Sequence, residues 1–147
     1  MTEINAPTAR TVIIPFCTDW DSATAVQDGA MKSLFIVNDP PYGSERCYNA
    51  LRMAHALLKK DPEAEVLIFL MADAVVAAKA GQKTPDGYYN VERMLKRMLT
   101  GKGKVLLCGT CMDARGLLET EIMPGAQRST MDELATATME ADKVMVF

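Results

Sequence analysis

Three short, uninterrupted apolar runs, each leading into loop residues and then a helical pattern, constrain this chain more than any other feature. They are Ser33-Leu34-Phe35-Ile36-Val37, Val66 to Met71 and Val105-Leu106-Leu107-Cys108. Continuous apolar runs of this kind are what parallel strands show when both faces of the sheet are covered. The first run gives way to Asn38-Asp39-Pro40-Pro41-Tyr42-Gly43, a loop by its Pro and Gly content. Ser44 with Glu45 then reads as an N-cap followed by an acid in the first turn. Cys47, Ala50, Leu51, Ala54, Leu57 and Leu58 recur at three and four residues, so the spacing predicts a helix with one buried stripe, ending near Lys59-Lys60 before Pro62.

The pattern repeats. After the second run, Asp73 reads as the cap of an Ala-rich helix through Ala80, stopped by Gly81. Gln82 to Tyr89 is a loop, and Asn90 caps a helix over residues 91–99 with Val91, Met94, Leu95 and Met98 on one face. Gly101-Lys102-Gly103-Lys104 turns the chain into the third run and lacks the spacing of a phosphate loop. A later helix at 131–141 and a terminal strand at 143–147 complete the order. Alternating strands and helices predict an α/β domain with a parallel sheet covered on both faces.

Residues 31–147 read as that domain, and residues 1–30, rich in Thr, Asp and Ala, as an N-terminal extension whose order the sequence leaves open. With 147 residues, 49% of them hydrophobic, one domain can bury a real core and a second does not fit comfortably. A net charge of −3 provides no basic footprint for nucleic acid or an anionic membrane. The longest mainly apolar stretch, 66–78, is interrupted by Asp73 and falls short of the roughly 20 residues a membrane span requires. The Val12-Ile13-Ile14-Pro15-Phe16 run is broken by its proline and has no charged leader, so a cytoplasmic location is expected. All four cysteines are expected to be thiols there.

The candidate chemistry lies in Cys108-Gly109-Thr110-Cys111-Met112-Asp113-Ala114-Arg115-Gly116. Thr110 and Asp113 have the spacing of a capping box, which predicts a short helix with Cys111 in its first turn and Cys108 at the strand's carboxyl end. A thiol beside unpaired helix N–H groups is stabilised as thiolate, and Arg115 folding back adds to that effect. A second thiol three residues away can resolve a mixed disulfide or accept a sulfur atom. Taken alone, Cys108 fits a packed small hydrophobe equally well. One C-x-x-C, with His55 as the only histidine, leaves a zinc site incomplete, so neither metal nor cofactor is expected. Cys47 reads as packing, and Cys17 falls in the extension. Tyr42 and Gly43 border a second strand end, where Tyr42 walls a pocket or donates its hydroxyl, with simple turning of the chain as the plainer account.

Several separated motifs in register carry a resemblance: N-D-P-P-Y-G-S-E at 38–45, F-L-M-A-D-A-V at 69–75, Gly81-Gln82-Lys83, Gly87-Tyr88-Tyr89-Asn90, and L-C-G-T-C-M-D-A-R-G from Leu107. Together they resemble the DsrE/DsrF-like family, its YchN-type branch most of all, over Met31 to Phe147. The first thirty residues have no counterpart in that pattern. The resemblance implies a three-layer α/β/α fold with a mainly parallel five-stranded sheet, homo-oligomers that are trimers or hexamers, and sulfur relay through a cysteine persulfide. It places the sulfur-accepting cysteine a fixed distance before an Arg-Gly pair, which matches Cys108 to Arg115-Gly116 and leaves Cys111 as its partner. Local helix electrostatics favours Cys111 instead, and the two arguments stand opposed.

The leading expectation is a sulfurtransferase or sulfur carrier working between donor and acceptor proteins through Cys108 or Cys111, with Tyr42, Gly43, Asp73, Asp113 and Arg115 shaping the site. A dithiol redox element and a non-catalytic assembly or regulatory module are the alternatives. Eleven methionines and the Val144-Met145-Val146-Phe147 tail suit an oligomer interface, though core packing explains them equally well.

Overall fold

The structure is a computed structural model that describes residues 29–147. Of the expected extension only Gly29 and Ala30 are among them; Cys17 and the 12–16 run lie outside the described residues. The elements in chain order are β1 (Lys32–Val37), α1 (Arg46–Lys60), β2 (Glu65–Leu70), a 3₁₀ segment (Ala72–Ala78), α2 (Val91–Leu99), β3 (Gly103–Cys108), α3 (Gly109–Asp113), a second 3₁₀ turn (Glu119–Glu121), β4 (Gln127–Ser129), α4 (Met131–Glu140) and β5 (Lys143–Val146). The strands form one sheet in the order β4-β3-β2-β1-β5, with every pairing parallel.

This order dictates the layers. From β1 to β4 the chain steps across the sheet in one direction, and right-handed crossovers keep α1 and α2 on one face, where they touch each other. The return from β4 to β5 runs the other way, which puts α4 on the opposite face against β1. The result is the expected α/β/α sandwich. Phe35, Phe69, Ile68, Leu70, Leu107, Leu51, Leu95 and Met98 are fully buried at its centre, and Phe147 stacks on Phe35 at a centroid distance of 6.1 Å.

The α1 stripe is borne out, with Cys47, Ala50, Leu51 and Ala54 buried. Asn90 caps α2, its side-chain oxygen accepting from the Arg93 N–H at 2.9 Å. Two other caps are corrected. Helix α1 starts after Glu45 without a side-chain cap, because the Ser44 hydroxyl donates to Asp39 at 2.6 Å. The Ala-rich stretch is a 3₁₀ segment that Met71 precedes, again with no side-chain cap. Asp73 sits in its first turn and its carboxylate is taken by Arg115. Strand β4, absent from the residue-level reading, is three residues long and carries Gln127 and Arg128 where the other strands carry aliphatics.

Candidate functional site

Strand β3 delivers the site. Its last residue, Cys108, is 3% exposed, and the chain turns at once into α3, so this cysteine ends a strand and also occupies the cap position of a helix. Cys111 is the third residue of that helix and is half-buried. Both thiols are free. Gly116, at φ +61, lets the chain leave α3 in a left-handed turn directly after Arg115.

The neighbouring carboxyl end, that of β2, supplies the other wall. Ala72 stands at φ +45, a left-handed conformation that costs a non-glycine residue roughly 1–3 kcal/mol. Held that way, its N–H donates to Cys111 Sγ at 3.3 Å. One residue on, Asp73 Oδ1 accepts from Arg115 Nε at 2.9 Å and Nη2 at 2.7 Å, while Arg115 Nη1 donates to the Cys111 carbonyl at 3.0 Å. The Asp73–Arg115 pair thus ties the end of β2 to the far side of α3.

On the other side, Thr110 Oγ1 lies 3.2 Å from Cys108 Sγ. Asp113 accepts two bonds from Arg128, at 2.8 and 2.6 Å. The expected Thr110–Asp113 capping box is therefore not formed: the hydroxyl is taken by a thiol and the carboxylate by a guanidinium. Cys108 occupies the cap position but its side chain makes no capping hydrogen bond.

The two thiols are pushed in opposite directions. Burial alone raises Cys108, but the nearby Cys111 thiol, the Thr110 hydroxyl and the backbone N–H groups of Cys111 and Thr110 together favour its anion and draw it below the usual thiol range. Cys111 is raised, first by burial and then by keeping its proton to donate to Cys108; the Ala72 N–H and Arg115 act the other way and lose. These directions run against the first-turn argument that favours Cys111. A residue at the cap faces the unpaired N–H groups of the first turn, whereas a residue inside that turn does not. The two thiols are coupled, Cys108 drawn toward the anion and Cys111 toward the protonated form.

The structure gathers Cys108, Cys111, Asp73, Asp113 and Arg115 at the carboxyl ends of β2 and β3. Tyr42 and Gly43 make no hydrogen bond or aromatic contact with either thiol. Tyr42 donates to Gln82 Oε1 at 2.7 Å, accepts from the Val91 N–H at 3.3 Å and stacks on Tyr89; Gly43 turns the loop at φ +102. Arg128 and Ala72 are the residues that sequence reasoning missed. Arg128 lies on an edge strand too short and polar to be read as one, and nothing in an alanine announces a positive φ.

The family's sequence model for the DsrE/DsrF-like family matches residues 31–147. The chain belongs to the DsrE/DsrF-like family. Protein YchN from Escherichia coli (strain K12) is 40% identical over 116 residues, covering 79% of this chain and 98% of that protein. The crystal structure of the ychN protein from E. coli superposes with a TM-score of 0.76, covering 80% of this chain and 99% of that one. Sulfurtransferase TusD from Salmonella typhi is 28% identical over 129 residues, covering 80% of this chain and 100% of that protein. Among the described residues no group of three or more His, Cys, Asp or Glu is arranged to hold a metal ion, and no helix is long and apolar enough to cross a membrane.

Proposed function

We propose that this chain handles sulfur in the cytoplasm, Cys108 accepting a sulfane sulfur from a donor protein, holding it as a persulfide and passing it to an acceptor protein. The observation that carries the reading is a free, buried thiol at the carboxyl end of β3, 3.2 Å from the Thr110 hydroxyl and three residues before a second free thiol. The family, with relatives named sulfurtransferase, supports the same chemistry. In the loading step the Cys108 thiolate attacks the outer sulfur of a donor R–S–SH. A new S–S bond forms at Cys108, the donor's S–S bond breaks, and the donor leaves as R–S⁻ with no net oxidation. Attack by an acceptor thiolate on the same outer sulfur reverses the step and regenerates the Cys108 thiolate. Cys111–SH serves as hydrogen-bond donor to the charged sulfur, and the Asp73–Arg115 pair fixes the helix that carries it.

Incubation of the full chain with glutathione persulfide tests this. A mass gain of about 32 Da, one sulfur atom, is expected in wild type and in Cys111→Ser, and none in Cys108→Ser. The absence of a gain in wild type overturns the reading. The two free thiols three residues apart also favour a second reading, in which Cys111 attacks the inner sulfur of the Cys108 persulfide, expels hydrosulfide and closes a Cys108–Cys111 disulfide. That outcome reads as a loss of about 2 Da and release of one hydrosulfide per chain. The proposal includes assembly of copies into trimers or hexamers, with neither nucleic acid nor membrane as a partner.

A further inference from the structure

Gly109, the residue between Cys108 and the rest of α3, lies beneath a guanidinium. A Cβ built on it stands 2.8 Å from Arg128 Nε, 2.9 Å from Cζ and 3.0 Å from Nη2. Gly109 is buried and is not among the glycines at positive φ, so what it provides is room for this approach and not an unusual backbone. Strand pairing brings Arg128 there. Cys108 lies opposite Ser129, and Arg128 is the residue just before it. From the other side the guanidinium is gripped by both oxygens of Asp113, with Glu119 4.0 Å from Nε.

We propose that Arg128 is a positioning residue for the charge at Cys108: its guanidinium, aimed by Asp113 and admitted by the bare Cα of Gly109, stabilises the anionic sulfur, both as thiolate and as the persulfide anion after loading. This rests on the reading of Cys108 as the sulfur-bearing thiol. The Asp113 hydrogen bonds are the first cause that holds Arg128 in its cationic form, and the Cys108 charge adds to it, so the attraction also favours the Cys108 anion. The other charged groups nearby have different partners. Arg115 is bound to Asp73 and to the Cys111 carbonyl, and Glu133 of α4 to Ser129 and the Thr130 N–H. An exposed Arg–Asp pair contributes little to stability by itself, which leaves the seating of this guanidinium over Gly109, next in the chain to a buried thiol, as the feature that requires a reason.

The test is the pH dependence of Cys108 alkylation by iodoacetamide, read on the Cys108 peptide by mass spectrometry. Arg128→Gln is expected to move the profile to higher pH, slowing alkylation at neutral pH by about 3- to 10-fold while leaving the alkaline plateau unchanged, since one pKa unit is a tenfold change in thiolate. Arg128→Lys keeps the charge and restores part of the rate. Gly109→Ala keeps Arg128 but pushes away the flexible end of its side chain, and is expected to reproduce the Arg128→Gln shift. Profiles of folded Arg128→Gln and Gly109→Ala that coincide with wild type overturn the proposal. If Arg128→Gln fails to fold, Gly109→Ala decides alone. Alkylation needs no sulfur donor, so a chain that never gains sulfur still shows the shift if Arg128 acts this way. A chain that loads sulfur with an unmoved profile keeps the function and loses this role.

Discussion

Three described cysteines have three different environments, and the differences set their chemistry. Cys47 is fully buried on the core side of α1; burial first, and the Asp39 charge second, push its thiol up to about 12. Cys108 is equally hidden by area but is surrounded by donors, and it moves down. The direction of each shift follows the groups around the sulfur more than its exposed area. Native iodoacetamide labelling at neutral pH is therefore expected to modify Cys108 first, Cys111 more slowly, and Cys47 only on unfolding. The shift at Cys47 has a consequence for stability. Because its folded-state pKa is raised, its contribution is complete below the free thiol value of about 8.5 and is lost as pH rises from there toward about 12. Urea midpoints measured at about pH 8 and about pH 10.5 are expected to fall less in Cys47→Ala than in wild type. Equal falls refute the assignment.

At the scale of elements, the caps that formed are those with no stronger claim on the side chain. Asn90 is 7% exposed, accepts from the Arg93 N–H and donates from Nδ2 to the Gln82 carbonyl at 3.0 Å, which also anchors the loop under Tyr42. Thr130 and Glu133 form a reciprocal box at the start of α4. Asn90→Ala is accordingly expected to destabilise the chain by about 1–2 kcal/mol in chemical denaturation, and Ser44→Ala by clearly less. Near-equal losses refute the distinction. The same competition explains what was legible in the sequence. The apolar runs located β1, β2, β3 and β5, and 3.6-residue periodicity located α1 and α2, because burial acts on whole segments. Spacing reads Ser44, Asp73, Thr110 and Asp113 as local caps; Ser44 and Thr110 instead bond the nearby Asp39 and Cys108, while Asp73 and Asp113 are claimed by the distant Arg115 and Arg128, partners of which sequence spacing carries no record. The motif register pointed to Cys108, whereas local helix grammar pointed to Cys111. The two arguments differ over which residue occupies the cap, a matter of one position, and the structure puts Cys108 there.

For the whole molecule, the two faces of the sheet are unequally covered. Helices α1 and α2 and the first 3₁₀ segment seal one face. On the other face α4 is the only helix among the described residues, and Leu134 is its single buried residue. Beneath and beside it Ile36, Leu67 and Leu106 are only partly buried, while Val144, Val146 and Met139 are 41%, 66% and 88% exposed. One buried leucine contributes roughly 1.5–3 kcal/mol, little with which to hold a ten-residue helix, and apolar surface of this kind on a monomer marks a contact site. Charge does not oppose self-association strongly, since the net is only −3. A second copy is the occupant proposed for this face, and a stable contact needs about 800 Å² from each partner. Light scattering coupled to size exclusion is expected to return three or six chains for wild type. Val146→Asp places a charge in the patch without touching the core, and is expected to lower that number while circular dichroism stays unchanged. A wild-type monomer at tens of micromolar, or an assembly indifferent to Val146→Asp and Met139→Asp together, rules out this face as the contact. Strands β2 and β1 separate β3, which carries Cys108, from β5. Persulfide loading of a folded Val146→Asp monomer therefore separates two roles for assembly: loading at the wild-type rate makes the oligomer a stabilising frame, and loss of loading makes it part of the site.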